Sequence, residues 1–480
     1  MDAPPSVADR LPFPLPALRL DEHGRRHVDF RAIAALAAPL FLNSSLQAVL
    51  SLTDTWFIGR LSTAATAAMG ATYFLVFVAI LLFGGVGMAV QTLAAQAYGG
   101  GRRVRGARAV WSGLWASLAT VPPFVALALA GSAILAPFAL APDIETLAVE
   151  YWFPRLLGGP ASVAMWSLSG FFNGIGRTRV TLLVMIVVAI VNAALNEVLI
   201  FRLGLGMAGS AWATTLSLVV GGALLAGFFL SQDVRREFKS ALVWRPDAKR
   251  IARLFALGLP MGLAATIDLI GFSLFQLMTV KLGAVQGAAT QVAIMLTSLA
   301  YMPAVGIGLA GTTLVGQSIG AGDRSWAAKV GNASIKLAVG YMGALGVLLA
   351  LAGPWLMPIF VPESDPNGAA VVALGTTLLW LAAAYQLFDG LNIGSSFCLR
   401  GTGDVRFPAV MVLVLSWLLF VPLAHSLAFA PGEGWVDFLP QFGFGILGAW
   451  AAAIGYMITL GTTLFLRWRS GAWRSISLRP

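Results

Sequence analysis

Charged residues divide this chain into long, mostly apolar stretches. A helix needs about 20 apolar residues to cross a bilayer, so each long stretch predicts one transmembrane helix. Eight stretches contain no Asp, Glu, Lys or Arg, and four more contain a single internal acid. The uncharged stretches are 61–101, 109–142, 156–176, 203–232, 282–322, 337–362, 407–432 and 438–466, and the others are 33–59, 180–201, 254–280 and 366–399.

The composition agrees with a membrane protein. Hydrophobic residues make up 58% of the 480 residues and charged residues 11%, which is too little polar surface for a soluble particle. The single cysteine, Cys398, excludes an internal disulfide, and three scattered histidines predict no transition-metal site. No Walker A pattern is present, so the sequence indicates neither ATP hydrolysis, nor another enzyme activity, nor a bound cofactor.

The net charge of +10 is interpreted as an orientation signal. With both termini inside, 27 of the 31 Lys and Arg residues lie in inside segments, and only Arg60, Arg155, Arg202 and Lys281 lie outside. This bias favours twelve spans with both termini cytoplasmic, and we expect the membrane to be a bacterial inner membrane. The basic residues then contact anionic lipid of the bilayer and not nucleic acid. Residues 1–31 have five prolines and no apolar run, which predicts a cytoplasmic tail and not a signal peptide.

The two halves of the chain repeat each other. Because the offset spans an even number of helices, both halves have the same orientation, as in transporters built from parallel repeats. We therefore predict an all-α integral membrane protein of twelve helices in two pseudo-symmetric six-helix lobes. Pro39, Leu61, Thr92, Leu93, Gln96, Gly99 and Gly101 recur 221 residues later as Pro260, Leu282, Thr313, Leu314, Gln317, Gly320 and Gly322. The predicted parts are an N-terminal tail (1–31), a first lobe (32–231), a cytoplasmic linker (232–253), a second lobe (254–467) and a C-terminal tail (468–480).

Four acids lie inside predicted spans, where a charge costs at least ~2.5–3.5 kcal/mol, and one of them, Glu197, lies near the outer end of its span and is considered separately below. Asp54, Asp268 and Asp389 are therefore predicted to couple transport to a cation. A carboxylate in the membrane interior can exchange a proton, hold Na⁺, or pair with a cationic substrate. Since these uses compete for the same oxygens, ion entry can weaken substrate binding. For Asp54 a pairing with Arg60 at the outer helix end stays open.

Other polar residues in the spans have two interpretations each, a supporting role at a site or helix packing. Asn192 and Asn196 share one helical face, and Tyr385 precedes Asp389 by one turn. Gln291 lies ten residues after Lys281. Glu197 fits an interfacial pair with Arg202 as well as it fits a binding role. Pro39, Pro260 and Pro303 lie inside spans and predict kinks, either as moving parts or as static features of the fold.

Four segments together resemble the multidrug and toxic compound extrusion (MATE) family. They are APLFLNSSLQAVLSLTDTWFIGRL, LGLPMGLAATIDLIGFSLFQLMTVKLGA, VGQSIGAGDR and YQLFDGLNIGSSFCLRGTGDVRFP, and the likeness covers about residues 30–470. The resemblance implies two six-helix lobes and ion-coupled antiport of organic cations by rocking between outward-open and inward-open states.

The resemblance also carries residue roles onto this chain. It implies that Asp54 is the helix 1 acid and that Asp389 is the acid of helix 10. Asp268 falls where one branch of the family has Glu, which shifts the carboxylate by about one C–C bond. Another branch has Asn-x-x-x-Asp on helix 5, where this chain has Asn192 and Asn196, so the second acid is missing. A neutral amide cannot carry a proton, but its oxygen can ligate Na⁺.

The leading hypothesis is a monomeric antiporter that exports small organic cations in exchange for Na⁺ or H⁺. A lipid-linked precursor flippase of the same two-lobe plan is one alternative, although it would need several cationic groups for pyrophosphate. A channel or receptor is another, although a pore is expected to use rings of like residues from symmetric subunits.

Overall fold

The computed structural model describes residues 15–361 and 366–478, which are almost entirely helical. Within these ranges eleven helices are long and apolar enough to cross a membrane. Two consecutive helices, Pro142–Leu157 and Gly159–Gly174, meet at Gly158 and form a twelfth rod of similar length. The predicted all-α fold with twelve spans is therefore confirmed.

The first half of the described chain begins with a short hairpin and continues as a series of helices. Strands β1 (Leu18–Leu20) and β2 (Arg26–Val28) pair antiparallel, with Leu18 opposite Val28. The helices are α1 (Phe30–Gly59), α2 (Thr63–Gly99), α3 (Arg103–Ala119), α4 (Val121–Leu129), α5 (Gly131–Leu135), α6 (Pro142–Leu157), α7 (Gly159–Gly174), α8 (Thr178–Asn196), α9 (Gly206–Phe229) and α10 (Gln232–Phe238). A π-helical segment, Glu197–Arg202, extends α8.

The second half contains fewer but longer helices. They are α11 (Ala248–Lys281), α12 (Ala284–Gly320), α13 (Arg324–Leu356), α14 (Gly368–Thr402), α15 (Arg406–Leu415), α16 (Val421–Ala428) and α17 (Gly445–Ser470). A π-helical segment, Ser416–Phe420, joins α15 to α16. The π segments of the two halves occupy corresponding places, in the fifth rod of each half.

The hairpin is a local structure that the hydrophobic pattern did not predict. Its turn is organised by Asp21, whose Oδ1 accepts backbone hydrogen bonds from His23 (3.0 Å) and Arg25 (2.7 Å). The Arg25 amide holds the pKa of the Asp21 carboxyl below its ordinary value. Short polar turns of this kind are stabilised by side-chain contacts to the backbone, which carry no hydrophobic signal.

The internal repeat is visible in the helices themselves. Helices α2 and α12 both have 37 residues, and their ends lie at the same offset as the repeated motifs. Their C-terminal ends touch: a Cβ on Gly99 would overlap the backbone oxygen of Gln317, and one on Gly320 would overlap that of Gln96. Glycine at both repeated positions therefore allows the two backbones into direct contact.

The fourth rod differs from the prediction. The uncharged stretch placed it at 156–176, but the helix begins at Pro142, with Asp143 and Glu145 in its first turn, where acids suit the helix dipole. Arg155 therefore lies within the rod, and it is only 9% exposed. The expectation that Arg155 sits in an outer loop was wrong, because a search for uncharged stretches discards helical turns that carry charges.

The chain divides into two compact units. The division inside α1 falls two residues after Pro39, and that inside α11 falls three residues after Pro260. Apart from the N-terminal residues, one unit is Leu42–Leu263 with Thr312–Ala327, and the other is Ala17–Phe41, Ala264–Gly311 and the chain from Ala328 on. The lobe boundaries expected from the sequence stay a prediction.

Candidate functional site

The first candidate site is built around Asp54 of α1, which is 3% exposed. Its Oδ1 accepts hydrogen bonds from Nδ2 of Asn192 (3.0 Å) and Nδ2 of Asn196 (2.7 Å). Its Oδ2 accepts a hydrogen bond from the Thr214 hydroxyl at 2.6 Å. We call these four residues the Asp54 cluster. The alternative that Asp54 pairs with Arg60 is not what the structure shows, because its oxygens take these three donors.

The positions of the partners follow from helix geometry. Asn192 and Asn196 are one turn apart on α8, so both side chains point to the same side. Helix α9 runs back beside α8 and places Thr214 opposite Asn192, whose Nδ2 also reaches the Thr214 hydroxyl at 3.3 Å. The helix changes to π geometry directly after Asn196, a distortion that often marks functional positions.

One oxygen of the Asp54 cluster accepts no hydrogen bond from the described residues. Asn196 Oδ1 is buried and has no hydrogen-bond partner among the described residues. Carboxylate, amide and hydroxyl oxygens are the ligands that hard monovalent and divalent cations take from proteins. The Asp54 cluster therefore offers the chemistry to hold a small cation or a proton.

Glu197 does not join this cluster. Its Oε2 lies 4.0 Å from Arg60 Nη1, and both side chains are about half exposed, at 46% and 51%. The interfacial pair anticipated for Glu197 exists, but its partner is Arg60 and not Arg202.

The second candidate site contains Asp268 of α11 and Asp389 of α14. Tyr456 of α17 donates its hydroxyl hydrogen to Asp268 Oδ1 at 2.7 Å. Asp389 is 5% exposed and accepts a hydrogen bond from Asn392 Nδ2 at 3.2 Å. The two carboxylates interact electrostatically with each other. We call these four residues the Asp268–Asp389 cluster.

Tyrosines and one arginine surround the second cluster. Tyr385 and Tyr301 interact electrostatically with both carboxylates, and Arg400 interacts with Asp268. The Tyr456 ring stacks on Phe420 at 4.9 Å between ring centroids, which fixes the direction of its hydroxyl. Tyr385 lies one turn before Asp389 on α14, and its supporting role stays a prediction.

Gln291 and the three prolines lie elsewhere. Gln291 is exposed on α12, and its Oε1 lies 3.4 Å from Gln276 Nε2, a contact outside both clusters. Pro39, Pro260 and Pro303 each lie within an uninterrupted helix. Their role as kinks stays a prediction.

Sequence reasoning missed several members of the clusters. Thr214 lies in an uncharged stretch, where a hydroxyl ordinarily bonds to the backbone of its own helix. No feature of the sequence distinguishes it from the other hydroxyl residues of that stretch. Tyr456 gave no signal either, because its contact depends on which helix lies opposite. Asn392 lies three residues after Asp389 on α14, and this helical spacing could have indicated it. Within 15–361 and 366–478, no three His, Cys, Asp or Glu side chains group closely enough to hold a metal ion.

Comparison with known families gives a match over both halves of the chain. The MatE family model matches residues 39–198 and 260–425. The two matches start 221 residues apart, which is the offset of the internal repeat. The same family is therefore recognised independently in each half.

Curated relatives align over most of the chain. One, from Rhizobium meliloti strain 1021, is named a probable multidrug resistance protein NorM and is 30% identical over 92% of both chains. Another of the same name, from Burkholderia pseudomallei strain K96243, is 32% identical over 84% of this chain and 86% of its own.

Solved structures of MATE transporters share the fold. One, described as the outward-facing conformation of a multidrug resistance MATE family transporter, superposes with a TM-score of 0.78. It covers 92% of this chain and 96% of its own at 21% sequence identity. At this identity the likeness supports the fold and not the details of a site.

Proposed function

This chain belongs to the MatE family of membrane transporters, and we propose that it exports small organic cations in exchange for Na⁺ or H⁺. It is a multi-pass membrane protein and a multidrug efflux transporter of the NorM type, not an enzyme. The exchange for an ion and the charge of the cargo are the proposed parts.

The observation that supports ion coupling is a carboxylate cluster in each half of the repeat. Asp54 and Asp389 are almost fully buried, and oxygen-bearing side chains surround both. An acid kept in the interior of a membrane protein is costly, so a function is the default hypothesis for it. Exchange of one bound cation for another is the use that such carboxylates serve in transporters.

The coupling follows from competition. A cation bound at the Asp268–Asp389 cluster reduces the negative charge that would attract a cationic cargo, so the two ligands weaken each other. This coupling is reciprocal, and the cargo therefore also weakens ion binding. If only the ion-loaded and the cargo-loaded protein change between outward-open and inward-open states, an inward ion gradient drives the cargo out.

The clusters also favour a cationic cargo over an anionic one. Their acids are Asp54, Asp268 and Asp389, and the side chains hydrogen-bonded to these acids are neutral. A pyrophosphate-linked lipid would require several basic groups in place of these acids. The relatives' named role in multidrug resistance agrees with export of varied compounds.

We further propose that the protein works as a monomer in the bacterial inner membrane, with both termini in the cytoplasm. Most of its Lys and Arg residues lie on the predicted inner side, where they hold the orientation and contact anionic lipid. No nucleic acid and no cofactor has a part in the proposed cycle.

Transport in proteoliposomes tests the proposal. The purified protein is reconstituted, and uptake of a fluorescent organic cation is driven by a Na⁺ gradient or by a pH gradient in separate experiments. We expect one of the two gradients to drive uptake and Asp389→Asn to abolish it. Asp437→Asn, an exposed acid outside the helices, is the matched control and should transport normally. Full transport by Asp389→Asn, or no uptake with either gradient, would contradict the proposal.

A further inference from the structure

Arg155 is a buried arginine that the exchange mechanism does not use. It lies near the end of α6, is 9% exposed, and has two guanidinium nitrogens, Nε and Nη1, that are buried without a hydrogen-bond partner among the described residues. Burying a cation is costly, and leaving its donors unmet adds to the cost. The helix dipole favours a cation in this last turn of α6, but an arginine exposed to solvent would meet that preference equally well, so the burial of the guanidinium needs another reason.

The surroundings of Arg155 direct it toward the Asp54 cluster. Tyr151, one turn earlier on the same face of α6, packs in a hydrophobic cluster with Ile58 of α1 and Ala211 of α9. Ile58 is one turn from Asp54 and Ala211 is about one turn from Thr214, so this face of α6 covers the helices that build the site. The Arg155 guanidinium also interacts electrostatically with the phenol of Tyr151.

A second contact fixes the same helix pair. The Thr215 hydroxyl donates to the backbone oxygen of Pro154 at 3.0 Å. Thr215 directly follows Thr214 in the sequence, and Pro154 directly precedes Arg155. The register between α6 and α9 is thereby fixed one residue away from both Arg155 and Thr214.

Arg155 acts on Asp54 through charge and not through a direct bond. The carboxylate oxygens take their donors from Asn192, Asn196 and Thr214, while the Arg155 guanidinium interacts with the carboxylate electrostatically. With Asn196 neutral, the cluster together with Arg155 carries no net charge when no ion is bound.

We propose that Arg155 is a built-in cation of the Asp54 cluster, a positioning residue that keeps the carboxylate compensated when it is empty and weakens its affinity for the coupling ion. The inference rests on the proposed ion coupling, and it identifies Arg155 as the group that sets the ion affinity of the Asp54 cluster. A weak site releases its ion readily, which suits a carrier that must unload in every cycle.

The test compares charge-removing and charge-keeping variants. Arg155→Gln should lower the half-saturating Na⁺ concentration for Na⁺-driven uptake by about tenfold or more. A nearby positive charge lowers the proton affinity of a carboxylate by about 10- to 1,000-fold, and it opposes the binding of Na⁺ in the same way. Arg155→Lys keeps the charge and should stay within about twofold of the unchanged protein. Arg60→Gln, an exposed arginine beyond the end of α1, is the control and should not shift it.

A thermal unfolding cycle in detergent tests the same inference without transport. Asp54→Asn leaves a buried arginine uncompensated, so we expect a lower unfolding temperature, and Asp54→Asn with Arg155→Gln should recover part of the loss. Three results would each overturn the inference. They are an unshifted Na⁺ dependence in Arg155→Gln, equal shifts in Arg155→Gln and Arg155→Lys, and a double variant that is no more stable than Asp54→Asn. If Na⁺ does not drive uptake by the unchanged protein, the thermal cycle alone tests the role of Arg155. Uptake driven by a pH gradient then tests the proposed ion coupling separately.

Discussion

Replacing Asn196 by Asp gives the sharpest test of the geometry around Asp54. Asn196 Nδ2 lies 2.7 Å from Asp54 Oδ1, and two unit negative charges at that separation repel by about 6 kcal/mol at an effective dielectric constant of about 20. Two charged carboxylates cannot coexist there unless a cation lies between them. Since Arg155 supplies one positive charge, the Asn196→Asp cluster has a net charge of −1 and must take up one further cation.

The expected result is a tighter cation site. If a quarter of the repulsion is relieved by a bound ion, about 1.5 kcal/mol, the affinity rises roughly tenfold. A ligand that binds the folded state raises its stability with concentration, so Na⁺ should stabilise the variant at lower concentrations than the unchanged protein. The measurement is the unfolding temperature in detergent as a function of NaCl, with KCl keeping the ionic strength constant.

A matched variant separates this effect from the substitution itself. Asn332→Asp makes the same change on α13, where the side-chain oxygen accepts a hydrogen bond from Trp468 Nε1 at 2.8 Å and can still do so. We expect its Na⁺ dependence to equal that of the unchanged protein. If Asn196→Asp also shows no change in Na⁺ dependence, Asn196 and Asp54 do not share an ion and the reasoning fails.

Three further variants probe other contacts. Gly99→Ala forces a Cβ onto a facing backbone oxygen and should lower the unfolding temperature. A Cβ on Gly455 has nothing within 4 Å, so Gly455→Ala should leave the free energy of unfolding unchanged or raise it by about 0.5–1 kcal/mol. Equal effects of the two variants on the unfolding temperature would argue against the close crossing. Tyr456→Phe removes the hydroxyl bonded to Asp268 and should reduce cation uptake in proteoliposomes, since a hydrogen bond to a charged group contributes about 1.5–3 kcal/mol; unaltered uptake would separate Tyr456 from the site. Glu197→Gln should leave uptake unchanged, because an exposed ion pair contributes about 1 kcal/mol or less, and a loss of uptake would place Glu197 in the transport path.

The sequence predicted the membrane fold well because its signal is local. Long apolar stretches bounded by charges predict helices regardless of what they pack against, and the repeated motifs alone indicate two related halves. The fourth rod is the exception. Its first half carries Asp143, Glu145 and Arg155 within a helix, so a criterion based on uncharged residues alone placed its start fourteen residues late.

The candidate acids were also recognisable from the sequence, but their partners were not. An acid in an apolar stretch is exceptional and stands out, which marked Asp54, Asp268 and Asp389 but also Glu197, an exposed residue that joins neither cluster. Hydroxyl and amide side chains are common in membrane helices and mostly bond to their own backbone or to a neighbouring helix. Thr214 and Tyr456 therefore gave no signal, although each donates to one of those acids.

The sequence by itself determined that this chain is a twelve-span membrane transporter with a parallel repeat and a few buried acids, because hydropathy, charge bias and repeated motifs are properties of the chain. Only the tertiary structure decided which groups meet. It paired Glu197 with Arg60, gathered Asn192, Asn196 and Thr214 around Asp54, and brought a buried Arg155 to their side. These contacts join positions as many as 160 residues apart, and their energy depends on distance and burial, which no pattern along a single chain records.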